Sequence, residues 1–199
     1  ALPIFYYQIG AVDERELQDV ARAIDTYQRV LELDPVDLQA LGRLDILYQT
    51  AQNWAELLSV LQQESELAND PMEGISYQYR IAELYEKHLD DTARAIELYR
   101  ELLAQMPDHE PTRVALEGIK SGVKDPLNAA LALEPIYDAG GEWDKLISVL
   151  EVQVKAADDA FAKVELLHRI ARLQEEMVND PLSAFGTYAR AVSCDNANE

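Results

Sequence analysis

Residues 80–107, RIAELYEKHLDDTARAIELYRELLAQMP, repeat residues 8–35 at a shift of 72, with 11 identities in 28 positions. The identities include Ile9, Ala23, Ile24, Tyr27, Leu31 and Pro35, answered by Ile81, Ala95, Ile96, Tyr99, Leu103 and Pro107. A forward shift of 89 recovers Arg169, Ile170, Ala171, Leu173, Glu175, Asp180, Ala184 and Tyr188. A second phrase, Trp54, Leu57, Ser59, Val60 and Leu61, returns as Trp143, Leu146, Ser148, Val149 and Leu150, again 89 later. Self-similarity at such periods constrains the chain more than any single motif. Each unit is too short to bury its own apolar face and must lean on the next, which implies a stacked array.

The apolar residues fall at helical spacing throughout. Eleven amphipathic helices are predicted, at about 2–15, 19–33, 36–50, 53–68, 72–88, 91–105, 109–120, 125–139, 142–157, 160–178 and 181–193. No stretch shows the two-residue alternation of a strand. Asp34-Pro35 reads as the stop of one helix and the start of the next, and the Asp-Pro pairs at 70–71, 125–126 and 180–181 read as helix starts too. Aspartate accepts free backbone donors there, and proline lacks a donor that would have no partner at the first helical position. Pro135 lies inside a helical pattern and is expected to kink it. Between Met106 and the second Trp phrase the period lengthens by 17 residues. The expectation is one elongated repeat domain over 1–199 with two similar halves, about 1–107 and 108–199, and an insertion near 108–124. Because the first copy begins mid-phrase and no initiating Met is present, the sequence reads as a piece of a longer array.

The helix pairs resemble tetratricopeptide repeats. Ala23, Tyr27 and Pro35, then Ala95, Tyr99 and Pro107, then Ala184 and Tyr188 match the second half of the family pattern. Ile9-Gly10, Ile81-Ala82 and Ile170-Ala171 stand in the first half, with Tyr85 at the family aromatic position. Departures are a turn one residue longer inside these three units, and Leu57 and Leu146 where the family has a small residue. The resemblance implies an all-α superhelical solenoid that binds a segment of a partner protein on a concave surface lined by the first helix of each pair.

Composition narrows the partner. With 37 acidic and 17 basic residues the chain carries a formal charge of −20, which repels phosphate backbones and anionic lipid headgroups and suits a basic partner. No apolar run is long enough for a membrane span. Cys194 is the only cysteine, which fits a reducing, cytoplasmic setting. His88, His109 and His168 form no ligand motif, and phosphate-binding, nucleophile-elbow and dinucleotide motifs are lacking. Catalytic, cofactor and metal roles are therefore not expected. Trp54 and Trp143 each precede a leucine by three residues and are expected in the core.

In the register that the resemblance implies, Tyr7, Tyr79 and His168 are equivalent groove positions, followed by Glu83 and Arg172, and by Glu86 and Glu175 one turn further on. Rings and carboxylates in that order suit an extended segment bearing Lys or Arg. An alternative is a structural element whose main contacts are with further repeats or another copy of itself, through apolar faces left uncovered at the array ends.

Overall fold

The computed structural model describes residues 2–195. Eleven α-helices follow in chain order: α1 (Leu2–Val12), α2 (Val20–Leu33), α3 (Leu38–Ala51), α4 (Trp54–Leu67), α5 (Pro71–Lys87), α6 (Thr92–Gln105), α7 (Glu110–Ser121), α8 (Pro126–Gly140), α9 (Trp143–Ala156), α10 (Ala160–Arg172) and α11 (Pro181–Asp195). π-helical turns, Asp13–Leu17 and Leu173–Met177, extend α1 and α10. Among the described residues there is no strand. The chain divides into two compact units, the first ending at Leu98 and the second beginning at Tyr99.

Within unit 1 each helix from α1 to α5 packs against the next, and within unit 2 the same holds from α7 to α11. The repeated small residue is what lets neighbours approach. Ala23, Ala82, Ala95 and Ala171 are fully buried, and a Cβ built on Gly10 would lie 2.6 Å from the ring of Tyr27. Tyr27 and Tyr99 are buried at the repeated aromatic position, while Tyr188 near the C-terminal end is half-buried. Around the first of these pairs, Leu41, Leu44, Tyr48, Leu57, Leu61, Ile81 and Leu84 form a continuous core in unit 1. In unit 2, Leu133, Tyr137, Leu146, Leu150, Leu167 and Ile170 are buried at the positions 89 residues on from Leu44, Tyr48, Leu57, Leu61, Gln78 and Ile81.

The lengthened interval is occupied by one helix. Buried Thr112, Leu116 and Ile119 of α7 correspond to Ala23, Tyr27 and Val30 of α2, and α7 packs on α8 as α2 packs on α3.

Two turn chemistries explain the longer turn seen in the sequence. In the repeated phrase the chain swings wide. The amides of Asp19, Asp91 and Asp180 donate to carbonyls six residues back, on Asp13, Tyr85 and Gln174, at 2.9, 3.1 and 2.7 Å. The residues just before, Gln18, Asp90 and Asn179, take left-handed φ of +52°, +54° and +60°. Each of these three aspartates then caps the next helix, accepting from Arg22, Arg94 and Ser183 amides at 3.0–3.1 Å. In the tryptophan-bearing hairpins the turn is tight. Asn53 and Glu142 amides donate to the Tyr48 and Tyr137 carbonyls, both at 2.9 Å, with Gln52 and Gly141 in the left-handed region.

Two sequence expectations are corrected. Asp34-Pro35 does not start a helix: Asp34 ends α2, and Asp37 is the cap of α3, accepting from the Gln39 and Ala40 amides at 3.0 Å. The competing cap two residues beyond the proline has two backbone donors in reach, whereas Asp34 reaches only the Val36 amide at 3.3 Å. Trp54 and Trp143 are half-buried rather than fully buried, each at the first position of its helix after a tight turn, and Trp54 packs against the unit 1 core. The helix over α8 runs through Pro135 to Gly140 although proline lacks the backbone donor.

Candidate functional site

On α5, Tyr79, Glu83 and Glu86 are spaced i, i+4, i+7 and share one side of the helix. All three are half-buried. Burial raises the Tyr79 phenol above its ordinary range, and the Glu83 carboxylate adds to that rise. Glu83 pairs with the Lys87 ammonium one turn on, and that hydrogen bond raises the Lys87 amine.

The corresponding trio in unit 2 is more open. His168, Arg172 and Glu175 are exposed, with the His168 ring edge-on to Tyr188 at 5.7 Å between centroids. The Tyr188 hydroxyl donates to Glu175 Oε2 at 3.4 Å. Tyr7 in α1 is turned to internal use. Its hydroxyl donates to Asp37 Oδ1 at 2.5 Å, and its ring lies 5.9 Å from that of Tyr27. Burial and the neighbouring Asp37 carboxylate push the Tyr7 phenol up. Tyr79, Glu83 and Glu86 thus share one side of α5 in unit 1, and in unit 2 His168 and Glu175 both meet Tyr188.

Beside the α5 trio lies a feature that motif reading missed. A cavity of about 240 Å³ opens between α3, α4 and α5. Leu57, Leu61 and Leu84 form its apolar wall, and Gln49, Arg80, Glu83, Lys87 and His88 its polar one. Trp54 closes one side by stacking on His88, with ring centroids 3.7 Å apart and planes 18° from parallel. Glu83 belongs to both the trio and the cavity wall. The signal available in the sequence was the recurrence of Trp at the start of α4 and α9, one helix before His88 and Met177. A cavity of about 450 Å³ in unit 2 is lined by Trp143 and Met177 with Glu142, Lys145 and Val178.

Behind the unit 1 cavity, Arg80 grips Asp45 with two guanidinium nitrogens at 2.6 and 2.7 Å, a bidentate pair that ties α5 to α3. Glu64 of α4 is buried nearby, and its Oε2 has no hydrogen-bond partner. In unit 2, Arg113 and Lys145 lie 5.2 and 5.3 Å from the centre of the Tyr137 ring, and both pair with Glu142. These cations are held by neighbours of their own chain. Among the described residues, no group of three or more His, Cys, Asp or Glu side chains is placed to hold a metal ion, and no helix is long and apolar enough to cross a membrane.

This alternation of small and aromatic residues in stacked helix pairs defines a class, the helical-repeat proteins. Residues 5–35 and 76–109 match one tetratricopeptide-repeat family model, and 40–72 match a second. The chain carries tetratricopeptide repeats, the units of a family of protein-interaction scaffolds. No curated protein matches the sequence. Solved structures similar to the chain include a crystal structure of MamA protein, at 19% identity over 98% of this chain and 92% of that one, with a TM-score of 0.42. MamA 41-end from Desulfovibrio magneticus RS-1 is similar at 13% identity over 99% and 97%, with a TM-score of 0.41. BtubC (BKLC) from P. vanneervenii is similar at 16% identity over 92% and 91%, with a TM-score of 0.33.

Proposed function

We propose that this chain is a noncatalytic cytoplasmic scaffold that captures an extended, basic segment of a partner protein, with the α5 surface of unit 1 as the principal contact. The observation that carries this reading is the juxtaposition of Tyr79, Glu83 and Glu86 with a cavity whose wall includes Glu83. The carboxylates and the phenol ring attract a Lys or Arg side chain, and the adjoining recess has room for a neighbouring apolar one. A net charge of −20 speeds the encounter with such a segment. His168, Arg172 and Glu175 form a second contact of different charge, and Tyr7 supports α3 more than it faces a ligand.

The test is binding of a peptide array of matched basic and acidic sequences to wild type and to Tyr79→Ala/Glu83→Lys. Basic peptides should bind wild type and lose at least about 10-fold in affinity with the double variant. Equal binding by both proteins removes the α5 surface from the site.

A second reading is assembly through the end helices, and a specific observation favours it. Ile4, Phe5, Ile9 and Val12 of α1 are exposed, although the repeat counterparts of Ile9, namely Ile81 and Ile170, are buried. In α11, Phe185 and Val192 are exposed where the equivalent Ile24 and Leu31 pack into the unit 1 core. Light scattering over a concentration series, with Phe185→Glu beside wild type, checks it. A mass that stays monomeric at every concentration rules it out.

A further inference from the structure

Unit 1 buries more carboxylates around Arg80 than that guanidinium can serve. Glu64 projects from α4 into the space between α3 and α5, and is 5% exposed. Asp45 on α3 and Arg80, Glu73 and Tyr77 on α5 act on it electrostatically. Asp45 is itself buried, and both of its oxygens are taken by Arg80. The only cation in the group is thus already committed to Asp45. Glu64 Oε2 remains buried with no partner. An ionised carboxylate in that position has neither a counterion of its own nor the water that would otherwise solvate it, a costly combination.

Unit 2 shows what the same place is built to hold. At a shift of 89, Asp45, Glu64 and Arg80 become Glu134, Gln153 and Arg169. Gln153 Nε2 donates to Glu134 Oε2 at 2.5 Å, while Arg169 pairs with Glu134 Oε1 and lies 3.5 Å from Asp138. The half-buried carboxylate there receives one guanidinium and one neutral donor. We infer that Glu64 occupies its place as the carboxylic acid, its O–H serving the Asp45 carboxylate as the Gln153 amide serves Glu134, so that unit 1 closes around a bound proton.

The electrostatics agree with that geometry. Burial first, and then the Asp45 carboxylate, push the Glu64 carboxyl up to about 7, against a smaller opposing pull from Arg80. The folded value lies above the unfolded one, so the contribution to stability is complete below the ordinary carboxylate range. It is lost as pH rises through about 7. Ionisation sets a second carboxylate in competition for Arg80, which lines the cavity beside Trp54 and His88. The device goes beyond partner binding and does not depend on it, since it concerns the packing of α3, α4 and α5 alone.

The experiment compares urea denaturation of the full chain with that of Glu64→Gln across about pH 5 to pH 8. Relative to the variant, the folding equilibrium constant of wild type should fall about 10-fold per pH unit up to about pH 7 and then level off, the slope of a single proton. Parallel curves for the two proteins overturn the inference. Independently of whether the variant folds, a carboxyl-carbon NMR titration of wild type should place the Glu64 midpoint well above those of exposed glutamates. A midpoint in the ordinary carboxylate range overturns it as well.

Discussion

Unit 1 seats Asp45, Glu64 and Arg80 where unit 2 seats Glu134, Gln153 and Arg169. In both, a guanidinium on the third helix pairs with a carboxylate on the first. The chemistry differs by one atom type at the middle position, and that difference separates a pH-dependent packing from one whose neutral amide needs no proton. A second pair of positions repeats the lesson with the hydrogen bond reversed. Gln28 Nε2 donates to the Tyr48 hydroxyl at 2.8 Å, whereas the Tyr137 hydroxyl donates to the Glu117 carboxylate, 89 residues on in each case. Tyr137 is buried, and its phenol is pushed up by that burial and by Glu117. What the repeat fixes is therefore where a polar link sits. It leaves open which partner carries the hydrogen.

The largest test of this comparison removes the cation. Arg80→Met should cost about 3 kcal/mol at neutral pH, because it leaves Asp45 buried without a counterion beside a second carboxylate. Arg169→Met should cost about 1 kcal/mol, since Gln153 still donates to Glu134 and Arg169 is itself partly exposed. Urea midpoints measure both, and equal losses would show that the two trios are energetically alike. A smaller effect comes from writing the unit 1 arrangement into unit 2. Gln153→Glu should destabilise by about 1–2 kcal/mol at about pH 8 and by clearly less at about pH 5, where the introduced acid can donate as the amide did. A loss independent of pH would contradict the equivalence.

The smallest effects lie in the tight turns. Gln52 and Gly141 occupy the same left-handed position, at φ of +57° and +67°. Gly141→Ala should cost about 1 kcal/mol from backbone strain, since its new Cβ would meet only ordinary contacts with Trp143 at 3.5 Å. Gln52→Gly should gain about 0.5 kcal/mol or less, relief of the same strain being offset by the extra freedom of glycine in the unfolded chain. Melting temperatures of the pair should move in opposite directions, and a shift of the same sign would break the correspondence of the two turns.

Much of the helical layout was legible in residues that recur. Ala23 and Ala95 at one position, and Tyr27 and Tyr99 four residues later, stand out in the sequence as recurring matches to the family pattern, and all four are buried. The start of α3 was misread because two aspartates flank Pro35, and only geometry shows that Asp37 reaches two amides while Asp34 reaches one. The side chains proposed for binding were legible as stripes along α5 and α10, spaced i, i+4, i+7. The cavity beside the first stripe was not, because its wall is assembled from Gln49 on α3, Trp54 on α4 and His88 just past the end of α5. The trio around Arg80 could have been found by applying the shift of 89 to polar positions as well as apolar ones.

The sequence by itself determined an array of helix pairs with alternating turns, for a local reason. Helical periodicity, capping aspartates and the recurring small-aromatic spacing act over one or two turns of chain and can be read without knowing what lies opposite. Only the tertiary structure decided that Glu64 is buried without a counterion of its own, that Arg80 is committed to Asp45, and that His88 lies flat on Trp54. Those outcomes depend on which groups from separate helices share a water-poor space, where one uncompensated charge outweighs any local preference of the chain.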